Sequence, residues 1–256
     1  KVMVEFVSAN PTGPMHMGNA RGGALGDCLA AVLDKAGYNV WREFYVNDAG
    51  NQIEKFGCSL EARYLQIFKG DEIEFPEDGY QGEDIKDLAK EYADLNGDSL
   101  VNVSAEERKK ALVDYALPKN IKKMQADMEK YKIFYDKWFF ESELHKSGAV
   151  KAVVDLLTKK GLTYEKEGAV WYKNKEVLTQ KLLKEGKSQK YIDNLELKDD
   201  VLIRQNGNPT YFTADIAYHK NKFDRGFTTL IDVWGADHHG HVMRMKGAMD
   251  AIGYDG

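Results

Sequence analysis

At 256 residues, with 43% apolar and 30% charged side chains, the chain is long enough to bury a core, and no stretch approaches the roughly 20 apolar residues of a helical membrane span. Cys28 and Cys58 lack CxxC spacing, which argues against a disulfide framework or thiolate zinc site and fits a reducing, cytoplasmic setting. The net charge of -5 disfavours nucleic-acid binding by counterion release over the whole chain, but residues 71–100 hold eleven acids against Lys86 and Lys90, so the remainder is net positive.

The opening Lys1-Val2-Met3-Val4-Glu5-Phe6 does not follow a signal-peptide plan, because Glu5 interrupts the apolar run. Residues 2–7 read as a strand, followed by turn formers from Ser8 to Pro14. A helix is predicted from about residues 17–19, with Ala20, Leu25, Leu29, Val32, Leu33 and Ala36 inward and Gly37 as its stop. Residues 40–46 form a second strand, Asn47-Asp48-Ala49-Gly50 a loop, and 52–68 a helix turning Ile53, Phe56, Leu60, Tyr64 and Ile67 inward. Strand, helix and strand on short loops imply a parallel sheet with right-handed crossovers.

Residues 70–103 are acidic and broken by glycines and Pro76, the pattern of a surface excursion. Residues 104–138 read as two helices separated by Pro118, the first opened by the capping box Ser104-x-x-Glu107. A helix over 147–160 closes at Gly161, 168–173 is a short strand, and 173–198 is lysine-rich and mostly helical. The sheet pattern returns with 201–205 and 210–213 flanking the turn Asn206-Gly207-Asn208-Pro209. Then come a helix over 215–223, a strand over 229–234, a loop over 235–240, and a helix over 242–252 ending at Gly253. The expected class is α/β, a Rossmann-like parallel sheet with helices on both faces. Residues 1–69 and 199–256 are its two halves, and 70–198 a mainly helical insert.

Three constellations could carry chemistry. The loop Ala9-Asn10-Pro11-Thr12-Gly13-Pro14-Met15-His16-Met17-Gly18-Asn19 lies at a strand's C-terminal end and runs into a helix N-terminus, where open sheets bind phosphates. His16 and Asn19 share one face of the first turn; the bland alternative is an ordinary turn with a capping histidine. No GxxxxGK[ST] is present. Gly235-Ala236-Asp237-His238-His239-Gly240-His241 follows another strand and suits ribose and adenine contacts. Its histidines do not follow an HExxH plan, so no dedicated metal site is expected, and a plain polar loop is the alternative. The third is Tyr211-Phe212-Thr213-Ala214-Asp215, where Asp215 reads either as an N-cap or, with Glu5, as a pocket for a cation. Glu5, a charge inside an apolar strand, could instead pair with Arg21 or Arg42.

Taken together, these segments resemble arginyl-tRNA synthetases of the bacterial type, a family of class I aminoacyl-tRNA synthetases. The resemblance is carried by residues 4–22, by Tyr45-Val46-Asn47-Asp48-Ala49-Gly50-Asn51-Gln52-Ile53, by 210–219 and by 232–242. It implies activation of L-arginine by ATP with Mg²⁺, then transfer to the 3′ end of tRNA(Arg). By resemblance, His16 and Asn19 stabilise the reacting phosphoryl group, with residues 9–19 on ATP. Asn19 stands where the family usually has a second histidine. Gly235, Asp237, His238 and His241 look like the adenosine side, and Glu5, Ser8, Asn10, Tyr211 and Asp215 like the arginine pocket. A KMSK-like loop and flanking tRNA-binding domains are expected in the family and absent from this sequence, which implies a truncated, weakly active or inactive catalytic core, expected to be monomeric. Two other readings remain open: another adenylate-forming enzyme of the same fold, favoured if ATP but not arginine binds, and a non-catalytic tRNA- or protein-binding module.

Overall fold

The computed structural model spans Lys1–Gly256 and describes all of it except the side chains of Asp71, Asp237 and His239. In chain order the elements are β1 (Val2–Phe6), α1 (Met17–Lys35), β2 (Val40–Val46), α2 (Asn51–Lys69), α3 (Glu83–Asn96), α4 (Ala105–Lys130) and β3 (Lys137–Phe140). They continue with α5 (Glu141–Lys146), α6 (Ala149–Lys159), β4 (Thr163–Lys166), β5 (Ala169–Tyr172), α7 (Asn174–Lys184) and α8 (Gln189–Asp193). Last are β6 (Asp200–Ile203), α9 (Tyr211–Asp224), β7 (Thr229–Val233) and α10 (His239–Ile252).

The class is α/β, as predicted: a four-stranded parallel sheet runs in the order β3-β2-β1-β7. The β2–β3 pairing runs from Glu43 opposite Lys137 to Val46 opposite Phe140. A smaller antiparallel sheet has the order β4-β5-β6. The chain divides into two compact units, the β7 unit (Lys1–Val4, Gly37–Val40 and Glu141–Gly256) and the β3 unit (Glu5–Ala36 and Trp41–Phe140).

In the β3 unit, α2, α3 and α4 pack around Phe56, Leu60, Tyr64, Ile85, Leu112 and Ala116. The stretch read as a surface excursion therefore contains a core helix. Within α3, Ile85, Ala89 and Ala93 recur every four residues and are buried, and this apolar stripe is masked in the sequence by the acids around it. Buried Arg108 fixes the α3–α4 connection by donating to the Leu100 and Val103 carbonyls while pairing with Glu61 at 2.9 Å.

Helix α4 is one helix of 26 residues running through Pro118, not two. Its buried residues Leu112, Ala116, Asn120 and Met124 continue the same stripe across the proline, and that packing outweighs a helix penalty of about 3 kcal/mol. Ser104 caps it, accepting from Glu107 N at 3.2 Å. Residues 137 and 138, the end of the stretch read as helix, belong to β3 instead.

Helix α1 buries Gly23, Gly26 and Ala30 rather than the predicted face, and Leu25 and Val32 are exposed. A Cβ on Gly26 would stand 2.2 Å from the Phe6 ring, so helix and strand meet through backbone and small residues mark the inner side. Ile67 is also exposed rather than inward.

In the β7 unit, the helix expected over 147–160 starts at Ala149, after α5 and a left-handed Gly148. The turn over 206–209 forms, with Arg204 N donating to Asn208 O at 2.9 Å. Its second arm is only the bridge between Ile203 and Pro209, because Thr210 caps α9 and residues 211–213 are helical rather than strand. Helix α10 begins at His239, inside the predicted loop. Among the described residues no helix is long and apolar enough to cross a membrane.

Candidate functional site

The first group of site residues lies in the β3 unit. Strand β1 ends at Val7 and Ser8, whose φ angles are 71° and 43°, and Ser8 N donates back to Phe6 O at 3.1 Å. Positive φ at a β-branched residue is strained, by about 1–3 kcal/mol. This bend places the Ser8 hydroxyl where it donates to Glu5 Oε1 at 2.7 Å and accepts from Tyr45 N at 3.1 Å. Glu5 is buried. Arg42, one of its two expected ion-pair partners, pairs with Asp27 at 3.1 Å. Tyr135 donates its hydroxyl to Phe6 O at 3.2 Å. Burial pushes its phenol well up, and the Asp27 and Glu5 carboxylates add to the rise, so it stays a neutral donor.

The loop after β1 is held from beneath. Pro11 and Thr12 are buried, and Asn120 of α4 donates to Pro11 O at 2.9 Å. Ala9 and Met15 pack against Phe44, Val46 and Met124, while Asn10 and Pro14 face outward.

At the loop's end His16 is the N-cap of α1. Its Nδ1 accepts from Gly18 N at 3.1 Å, and Asn19 Oδ1 accepts from His16 N at 3.0 Å. The capping alternative is thus present as geometry, and it has a chemical corollary. An Nδ1 that accepts leaves the ring proton on Nε2, and an amide whose oxygen accepts leaves its NH₂ as the remaining donor. Both side chains spend their acceptors on the cap and keep donors at the N-terminus of a 19-residue helix with no acid in its first turn. Such an end attracts anions.

The second group lies in the β7 unit. Tyr211 opens α9 and is exposed; Thr210 is the N-cap, so Asp215 sits within the helix and the N-cap reading of Asp215 is corrected. Asp215 Oδ2 is instead 2.9 Å from His241 Nε2. The His241 ring meets the Phe212 ring edge-on, at 5.8 Å between centroids, and lies 5.2 Å from that of Trp234. Gly235 and His238 are exposed, with the His238 ring 6.0 Å from Trp234. The Asp237 side chain lies outside the described residues. Among those described, no three His, Cys, Asp or Glu side chains are grouped to hold a metal ion.

One cluster escaped the sequence reading. Asp232 on β7 accepts from His219 Nε2 at 2.8 Å and from the fully buried Lys222 Nζ at 2.6 Å. His219 Nδ1 meets the Asp215 carbonyl at 2.8 Å, so both ring nitrogens face oxygen atoms. Burial alone would raise the Asp232 carboxyl, but Lys222 and His219 together hold it far below the usual carboxylate range. A charge inside an apolar strand marks Asp232 in the sequence as it marks Glu5. Asn120, a polar residue on a buried helical stripe, gives a comparable signal.

A family model described as the catalytic domain of class I (R) tRNA synthetases matches residues 1–256. The chain is 60% identical over 255 residues to an arginine–tRNA ligase of Ruminiclostridium cellulolyticum and 61% identical over 256 residues to one of Caldanaerobacter subterraneus subsp. tengcongensis. These alignments cover 99% and 100% of this chain and 42% of each relative, so the chain spans about two-fifths of the length of the curated relatives it matches. A crystal structure assigned to an arginyl-tRNA synthetase of Campylobacter jejuni superposes with a TM-score of 0.82 at 38% identity, covering 100% of this chain and 52% of that one. The Thermus thermophilus arginyl-tRNA synthetase, at 22% identity and a TM-score of 0.61 over 99% of this chain and 46% of that one, shares the fold.

Proposed function

Because the chain belongs to the family of class I tRNA synthetase catalytic domains of the arginine type, we propose that it carries the amino-acid-activating core of an arginine–tRNA ligase. In this reading a carboxylate oxygen of L-arginine attacks the α-phosphorus of ATP. Pyrophosphate leaves, and the arginyl group of the adenylate then passes to the terminal ribose of tRNA(Arg). The attacking group belongs to the substrate, so the protein's work is positioning and stabilising charge on the phosphoryl oxygens.

The observation that carries the reading is the reciprocal cap at the start of α1. It leaves the His16 Nε2–H and the Asn19 amide as donors at a helix N-terminus, which suits a phosphoryl group gaining negative charge. Residues 9–15 and Met17 and Gly18 supply the backbone of this ATP-binding segment. Gly235, Asp237, His238 and His241 take the adenosine side. Glu5, Ser8, Asn10, Tyr211 and Asp215 take L-arginine, and the buried Glu5 carboxylate, oriented by Ser8 at 2.7 Å, favours a cation. Mg²⁺ would come with ATP, its ligands chiefly phosphate oxygens and water. The protein of which this is the core would act as a cytoplasmic monomer.

Calorimetry with L-arginine, L-lysine and citrulline tests the pocket. Arginine should bind best and the uncharged citrulline worst. Glu5→Gln should weaken arginine about ten- to hundredfold by removing a charge-assisted contact. A folded protein that binds all three equally, or none, would overturn the assignment. Arginine-dependent ATP–pyrophosphate exchange with tRNA present, in a longer protein containing this chain, tests the reaction itself.

A further inference from the structure

Residues Arg244 and His241 stand one turn apart on α10, and both meet Phe212 of α9. The guanidinium lies 4.7 Å from the Phe212 ring centroid, while the His241 ring approaches the same ring edge-on at 5.8 Å. Arg244 Nη2 is 2.6 Å from Asp200 Oδ1 on β6, and the other Asp200 oxygen accepts from buried Asn174 Nδ2 at 2.8 Å. Asp200 is thus held at both oxygens.

Helix α10 opens without a side-chain cap at His238, and no acid lies in its first turn. Against this background Arg244 is tied on one side to a carboxylate anchored in the small sheet and lies on the other over an aromatic face. Planar guanidinium can lie flat on the ring while presenting its fork to the carboxylate; a compact ammonium can do neither in that geometry.

We propose that Arg244 is a positioning residue: held by Asp200 and stacked on Phe212, it sets the first turns of α10 so that His241 stays within reach of Asp215. The inference rests on the reading of Asp215 as an arginine-pocket residue only for its catalytic consequence. The placement of His241 can be measured without any ligand.

The experiment follows the His241 ring resonances against pH in the ligand-free chain, for wild type, Arg244→Gln, Arg244→Lys and Asp200→Asn. Among the described residues, Asp215 lies 2.9 Å from that ring, Asp200 interacts with it electrostatically, and Arg244 stands one turn away on the same helix. Loss of the Arg244 cation, by electrostatics alone, would favour the protonated ring and raise the titration midpoint. Loss of the Asp215 contact would lower it. The expected result is a lower midpoint in Arg244→Gln, partly recovered in Arg244→Lys. Asp200→Asn releases Arg244 but also removes an anion that interacts with His241 and lowers the midpoint by itself, so in that variant the readout is the His241–Asp215 proximity seen as nuclear Overhauser contacts, which should weaken. Arginine affinity should fall about tenfold in Arg244→Gln, with the thermal midpoint recorded alongside.

A midpoint that rises or stays constant in folded Arg244→Gln, with arginine affinity within about twofold of wild type, would overturn the proposal and leave Arg244 a purely structural tie. A midpoint that falls while no variant, wild type included, binds arginine would uphold the positioning role and instead remove the arginine-pocket reading. If Arg244→Gln does not fold, Arg244→Lys, which keeps the charge, gives the two-sided result: a lowered midpoint upholds the positioning role and an unchanged one overturns it.

Discussion

A methyl group on Gly18 would stand 2.9 Å from Cε1 and 3.0 Å from Nδ1 of the His16 ring. The ring folds back over Gly18 because it caps the Gly18 amide, so the absence of a side chain and the histidine's orientation are one feature. Gly18→Ala should therefore displace the ring and cost about 1 kcal/mol of stability, the usual worth of an N-cap. ATP affinity should fall in the same variant, read by calorimetry beside a thermal scan; unchanged ATP affinity would separate the cap from the phosphate site. Strain is concentrated nearby at Val7 and Ser8, where the backbone leaves β1 in a left-handed bend. That bend brings the Ser8 hydroxyl onto Glu5, which gives the strain a local use.

Among the elements, α4 departs furthest from its sequence signals. Pro118 lies inside it, with buried residues on both sides, and proline offers no N–H to the preceding turn. Pro118→Ala should restore that bond and raise stability by about 1–3 kcal/mol in urea unfolding; a loss would mean the helix needs a bend there. The proline was legible as a breaker because local propensity is legible, whereas the 26-residue stripe that overrides it takes shape only against α2 and α3. The reverse error occurred in α1, where the leucines looked like the core and Gly23, Gly26 and Ala30 are the buried side. Hydrophobicity along one helix cannot announce that a strand will press onto its backbone. By contrast, β1, β2, β7 and the loop that follows β1 were readable, since short apolar runs ending in turn residues need no distant partner to be recognised. At the candidate site, sequence marks chemically unusual positions such as Glu5 and the His16–Asn19 turn but not their internal bonds: the cap between His16 and Asn19, the Ser8–Glu5 bond and the Asp232 cluster depend on rotamers and neighbours that sequence does not specify.

For the molecule as a whole, the buried Lys222–Asp232–His219 cluster ties stability to acidity. The Asp232 carboxyl is held below its ordinary range in the folded chain: burial opposes this, and Lys222 and His219 prevail. A carboxyl depressed in the folded state contributes its full stabilisation above its unfolded value, near pH 4, and loses it as the pH falls towards the folded value. Urea midpoints measured downward from pH 6 should therefore drop, and Asp232→Asn should flatten that fall. At neutral pH the same change should cost about 3–5 kcal/mol, because it removes the carboxylate that pairs with buried Lys222 at 2.6 Å and with His219 at 2.8 Å. The division into units has a different kind of consequence. The chain passes between the β7 and β3 units four times, yet all of the β3 unit lies within Glu5–Phe140 and most of the β7 unit within Glu141–Gly256. As the chain leaves the ribosome, the helices around Phe56 and Ile85 can therefore close while Lys1–Val4 and Gly37–Val40 wait for partners not yet translated. Protease challenge of stalled nascent chains should find α2–α4 protected first, with Lys1–Val4 and Gly37–Val40 cut until β7 emerges.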